Sequence, residues 1–305
     1  MNSNKVVNNK SVVSLMIGLI LLIATNSYAL PANIETRLDV TYGESEDQAL
    51  DVYYPSVKTR NAPVIFMVHG GAWRVGDKAS KSVVKNKVAH WVPKGFIFVS
   101  VNYRMLPNTR PVKQAEDIEK ALEFAQRNAR RWGGAPEKFI LMGHSAGAHL
   151  VALVSARNDP AQTPWLGTVA LDSAAYDVVK IMSSPSPARF YKKAFGKHIE
   201  YWKMASPILK LEAKTPPFLA ICSTKRKDDS CSQGGNFVKK ANSLGSRAQL
   251  MRVPLSHRKV NVDLGLNNCY TQGVDDFLKT LHPSVASLLS GQSRLRQRRR
   301  NCTDY

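Results

Sequence analysis

Acidic residues are scarce in this chain. Its 305 residues hold 43 Lys and Arg against 23 Asp and Glu, a formal charge of +20, so an acidic, self-repelling disordered chain is excluded. Cysteine is sparse too. Cys222, Cys231, Cys269 and Cys302 form no paired C-x-x-C knuckles, which sets a zinc-ribbon metal site aside. Long apolar runs are confined to one, Val12 to Ala24, shorter than the roughly 20 residues that cross a bilayer. Internal repeats are absent as well, which excludes a solenoid or propeller. What remains is ordinary globular composition, 44% hydrophobic and 22% charged, long enough for one large core.

The single apolar run has a reading of its own. Lys5 and Lys10 precede it, and Ser27-Tyr28-Ala29 follows with small residues where a signal peptidase cuts. Residues 1–29 are therefore expected to be a signal peptide cleaved after Ala29, giving an exported protein, periplasmic or secreted. An oxidising compartment permits disulfides, and Cys222 with Cys231, flanking one short loop, is the favoured pair. Losing Lys5 and Lys10 leaves +18, of which residues 291–305 supply only +4. The positive charge is thus spread along the chain rather than gathered on one aromatic-studded face. That pattern speaks against nucleic acid and suits an anionic envelope surface or polymer.

From Pro63 onward, short apolar β-rich runs alternate with helical patterns, the signature of a mostly parallel sheet covered on both faces. Residues 64–68, 96–101, 139–142, 168–171, 218–222 and 249–253 read as strands. Helical spacing covers Ile118 to Ala125, Ala146 to Ala156 and Val274 to Leu281. Residues 183–206, with Pro185, Pro187 and the five aromatics Phe190, Tyr191, Phe195, Tyr201 and Trp202, are too irregular for a core helix and read as a cap over the sheet. The domain is expected to run from 30 to 283, and 284–305 to be a basic tail.

Chemistry concentrates at Gly143-His144-Ser145-Ala146-Gly147, which joins an apolar strand to a small-residue helix. A serine on such a sharp turn stands clear of the backbone and can attack a carbonyl once a base takes its proton. His69-Gly70-Gly71-Ala72-Trp73 follows the strand at 64–68, where backbone N–H groups can meet a developing oxyanion. The N–H groups of Gly71, Ala72 and Ala146 are the candidate donors, and His69, Gly70 and Trp73 the candidate substrate-facing residues. A nucleophile on this turn is followed in the chain by its acid and then its histidine. His257, just after the last strand, is the expected base. Asp228, or alternatively Asp229, in the loop after residues 218–222, is the expected acid.

Together with Val101-Asn102-Tyr103-Arg104, Gly147-Ala148-His149 and Ser256-His257, these motifs resemble the hormone-sensitive-lipase-like esterases, in particular the branch related to kynurenine formamidase and bacterial carboxylesterases. The resemblance spans about Ala49 to Leu281. It implies an α/β-hydrolase fold, a Ser145–Asp–His257 triad, and no metal or organic cofactor. Two departures stand out: Ala72 replaces the third Gly of the family's HGGG, and a basic loop led by Ser223 precedes the acid pair. The implied activity is hydrolysis of short-chain or acetyl esters of a small-molecule substrate. An arylformamidase acting on N-formylkynurenine-type substrates, or a basic binding module without catalysis, are the alternatives.

Overall fold

In the computed structural model of the protein, residues 31–291 and Cys302 are described. The expected signal peptide and nearly all of the Arg-rich stretch lie outside them. The strands are β1 (Ile34–Thr41), β2 (Ala49–Pro55), β3 (Ala62–Val68), β4 (Ile97–Val101), β5 (Gly134–His144), β6 (Gly167–Leu171), β7 (Phe218–Ser223) and β8 (Ala248–Val253). The helices begin with α1 (Lys81–Trp91), α2 (Pro111–Asn128) and α3 (Ala146–Arg157). Between β6 and β7 come α4 (Val178–Met182), α5 (Arg189–Phe195), α6 (Ile199–Met204) and α7 (Pro207–Lys210). The chain then forms α8 (Ser230–Ser243), α9 (His257–Val262), α10 (Cys269–Lys279) and α11 (Pro283–Ser290).

The strands form one eight-stranded sheet in the order β1-β2-β4-β3-β5-β6-β7-β8. Everything from β4 to β8 in that order is parallel, while β1 and β2 are antiparallel additions at one edge. All six runs expected as strands are strands. β1 and β2 were not foreseen, because half-exposed β1 alternates charged and apolar residues without a buried run. β3 and β4 are buried at every residue, as parallel strands covered on both faces must be. Helices α2, α3 and α8 cover one face through Leu122, Leu150 and Phe237, and α1, α10 and α11 cover the other through Trp91, Phe277 and Val285.

Two expectations about boundaries change. The cap is four short helices spanning 178–210, somewhat wider than residues 183–206, and it packs through Tyr191, Ala194 and Phe195. The domain also does not stop at residue 283. Pro283–Ser290 is helix, with Val285 buried and Leu288 and Leu289 packed on the core, since Pro at the first turn and Ala-Ser-Leu-Leu suit helix better than tail. Cys222 pairs with Cys231, as favoured, and Cys269 with Cys302. Among the described residues no helix is long and apolar enough to cross a membrane.

Candidate active site

Parallel β5 delivers the serine. The strand ends at His144, and α3 begins at Ala146, so the reversal falls on Ser145 alone, at φ 57° and ψ −115°. A side chain rarely adopts that conformation, and the surroundings hold it there: the Ser145 N–H donates to the Leu171 carbonyl at 2.9 Å. The flanking glycines are a steric requirement. A Cβ on Gly143 would lie 2.4 Å from the Gly147 carbonyl oxygen, and one on Gly147 would lie 2.3 Å from the Val68 oxygen. Helix α3 then runs buried on all sides, as its small apolar residues allow.

His257 meets the serine. As the first residue of α9, it places Nε2 2.9 Å from Ser145 Oγ. Its other nitrogen faces a carboxylate, but not the expected one. Asp172, the residue after β6, lies fully buried with Oδ2 2.6 Å from His257 Nδ1. The expectation of Asp228 or Asp229 is corrected here. Asp228 is ion-paired with Arg226 and exposed, while Asp229 occupies a left-handed N-cap of α8 at φ 59°. The physical reason is the sheet: β6 and β7 are adjacent and parallel with Leu171 beside Ile221, so loops leaving either strand reach the same imidazole. The sequence offered one signal, an Asp directly after an apolar strand.

Burial alone would push the Asp172 carboxyl up, but the hydrogen bond to His257, the Arg226 guanidinium and the Ser223 N–H at 2.8 Å outweigh it and hold the group below the usual carboxylate range. With Asp172 ionised, Nδ1–H donates to it and Nε2 is left to accept from the serine. The arrangement can therefore take the Ser145 proton as a carbonyl is attacked.

Gly71, Ala72 and Ala146 line the same cleft as Ser145 and His257, together with His69, Gly70 and Trp73. Gly71, Ala72 and Trp73 all have positive φ, and the Gly71 carbonyl closes the turn by accepting from Arg74 and Val75. His69 is buried. Its Nδ1 donates to the Gly70 carbonyl, and its ring stacks on Tyr103, whose hydroxyl donates to the His69 carbonyl, so it holds the loop from behind. Trp73 donates Nε1–H to His149 Nδ1, and His149 Nε2 donates to Ala205 in the cap. Burial pushes His149 down to about 4, which keeps this bridge neutral.

Helix α9 is fastened by side chains that sequence reasoning passed over. His144 donates to the His257 carbonyl, Tyr270 to Val260, Asn86 to Val262, and Lys87 to both the carbonyl and side chain of Asn261. Together they satisfy carbonyls that a helix of under two turns cannot pair itself. Lys87 is fully buried without a carboxylate, and burial pushes it down to about 7. An unfolded lysine titrates near ~10.4, so between about pH 7 and 10 the unfolded chain binds the extra proton and stability rises with pH. Lys87→Met should remove that rise. Urea midpoints at pH 7 and pH 9.5 check it: equal wild-type and variant slopes with pH would refute the assignment.

The cleft encloses about 720 Å³, within the range of small-molecule sites. Phe190 and Tyr191 from the cap, Arg226 from the loop after β7 and Arg258 of α9 complete its wall. Among the described residues no group of His, Cys, Asp and Glu could hold a metal.

Comparison with known proteins agrees with this geometry. A family model described as BD-FAE matches residues 50–172, and the carboxylesterase family model matches residues 114–239. The chain is 30% identical over 233 residues to Esterase LipC of Mycobacterium tuberculosis (strain ATCC 25618 / H37Rv), covering 70% of this chain and 57% of that one. Over 152 residues it is 29% identical to a kynurenine formamidase of Salmo salar, covering 49% of each. The chain thus spans only about half the length of curated relatives it matches. In structure it resembles Esterase B from Lactobacillus Rhamnosis (HN001), with a TM-score of 0.68, 18% identity and coverage of 88% of this chain and 90% of that one. The chain thus has the α/β-hydrolase fold, and in sequence it is similar to carboxylesterases over part of their length.

Proposed function

We propose that this chain is an exported carboxylesterase that hydrolyses short-chain or acetyl esters through an acyl-enzyme on Ser145. The observation that carries the reading is the continuous relay from Ser145 Oγ through His257 to buried Asp172, at 2.9 and 2.6 Å. Ser145 attacks the ester carbonyl while His257 takes its proton. The N–H groups of Gly71, Ala72 and Ala146 receive the oxyanion, and His257 returns the proton to the leaving alcohol. Water, activated by the same imidazole, then frees the acid. A cleft of about 720 Å³ walled by Trp73, Phe190 and Tyr191 suits a compact ester rather than a long acyl chain.

Export is supported by the leader-like N-terminus and by two disulfides, which an oxidising compartment preserves. Exposed Arg189, Lys192, Lys193, Lys197 and Lys203 on the cap favour an approach to anionic envelope surfaces or polymers carrying the ester. The likeness to a kynurenine formamidase favours a second reading, hydrolysis of an aryl formamide by the same groups. One experiment separates these. One sample of the mature protein is treated with a fluorophosphonate, and a separate untreated sample is assayed on acetyl, butyryl and longer p-nitrophenyl esters and on N-formylkynurenine. Labelling of Ser145 with fastest turnover of the acetyl ester is expected. Preference for the formamide would shift the substrate, and an unlabelled folded protein would leave the binding-module reading.

A further inference from the structure

The loop after β7, where the acid was expected, carries a cation to the triad instead. Cys222 and Cys231 close its base. From it Arg226 turns inward, its side chain 15% exposed, and donates Nη1–H to the Asp172 carbonyl oxygen at 2.6 Å. The same nitrogen lies 3.3 Å from Asp172 Oδ2 and 3.0 Å from His257 Nδ1. On its far side the guanidinium grips Asp228 bidentately, Nε donating to Oδ1 at 2.7 Å and Nη2 to Oδ2. Tyr191 of α5 accepts a further hydrogen bond from it.

The contact with the imidazole is not an ordinary hydrogen bond. Nδ1 already spends its hydrogen on Asp172, so it offers the guanidinium no lone pair. What remains is charge: a cation beside the ring disfavours imidazolium and favours carboxylate. Asp228 offsets part of that charge from the opposite side. Other charged or titratable groups facing this cluster are His144 of β5, held neutral by burial, the buried phenols Tyr176 and Tyr270 of α10, which feel the Asp172 charge, Tyr191 of the cap, and Arg258 of α9 at the cleft wall. None of them sits between Arg226 and the triad in the contacts of the described residues.

We propose that Arg226 is a positioning residue of the triad, which keeps Asp172 ionised and turned toward His257, with Asp228 setting how much of its charge the triad feels. The inference rests on the ester-hydrolase reading. Its signature is a pair of opposite effects. Losing the cation lets the triad protonate more readily, so activity fails sooner as pH falls. Losing the balancing carboxylate exposes the triad to more positive charge, so activity persists further.

The test measures kcat, KM and the rate of fluorophosphonate labelling from pH 4 to 9 for wild type, Arg226→Met, Arg226→Lys and Asp228→Asn, with Tm as the check on folding. The acidic limb of kcat/KM should move up by about one pH unit in Arg226→Met and down by about half a unit in Asp228→Asn. Arg226→Lys keeps the charge without the fork, so its limb should stay near wild type while kcat falls about tenfold with KM little changed. Should Arg226→Met fail to fold, the Lys and Asn variants still decide the matter. A limb in Asp228→Asn that moves upward, or superimposable limbs in wild type and Arg226→Met, would overturn the role of Arg226. A wild type that neither labels nor hydrolyses any ester would overturn the underlying reading, and this inference with it.

Discussion

Asp172→Asn should lower turnover of a p-nitrophenyl ester about 10⁴-fold, the magnitude usual for a neutralised triad acid. The reason lies in what else holds the carboxylate. Oδ1 accepts the Ser223 N–H at 2.8 Å, so an asparagine would keep its oxygen there and turn its amide N–H₂ toward His257 Nδ1. Two donors would then face each other unless the imidazole moved its hydrogen to Nε2. That tautomer presents a hydrogen to Ser145 and cannot take one. The substitution is nearly isosteric, so the fold should survive and KM should change little. Asp228→Asn and Asp229→Asn, by contrast, should each cost less than about tenfold at neutral pH, as exposed carboxylates do when they touch no reacting group. The order of the three kcat values at pH 7.5 checks this. An Asp172→Asn variant within tenfold of wild type would remove Asp172 from the triad.

Gly147→Ala should damage both stability and turnover. Its Cβ would meet the Val68 carbonyl oxygen at 2.3 Å and the His69 oxygen at 2.5 Å, both backbone atoms of the strand and loop that lead to the oxyanion donors. Neither can rotate away, as a side chain could. Either α3 retreats from β3 or the His69–Trp73 loop shifts, and a shift of about 1 Å is enough to slow a positioned reaction about 10²-fold. Overpacking of this kind should also cost about 3 kcal/mol of stability, a fall in Tm of roughly 6–12 °C for a domain of this size. Thermal unfolding and turnover measured on the same sample check both halves. A variant with wild-type Tm and wild-type kcat would mean that the elbow is looser than its contacts indicate.

The difference between these two positions also shows where reading the chain succeeded. Gly143, Ser145 and Gly147 announce themselves because a five-residue turn between an apolar strand and a small-residue helix is a local event, decided by sterics within one stretch of chain. The parallel strands were legible for the same reason: burial on both faces makes each an unbroken apolar run. His257 could be reached through chain order and its place after β8. Asp172 could not be distinguished in the same way, because β6 and β7 bring their ends side by side and only the folded register tells which loop faces the ring. Lys87 was equally hidden. In sequence it is one of many lysines, and its function as a fastener for α9 arises from a contact 174 residues away. β1 escaped notice since an edge strand needs no continuous apolar run.

The placement of the acid has a mechanical corollary. Asp172 is the first residue after β6, where the chain departs toward the cap, with Ser173 to Ala175 forming part of the cleft wall and α4 beginning at Val178. An acid on the following strand would be anchored independently of whatever closes over the substrate. Here the two are consecutive stretches of one tether. Phe190 and Tyr191, which wall the cleft, and the carboxylate that faces the base are therefore carried by one continuous stretch of chain.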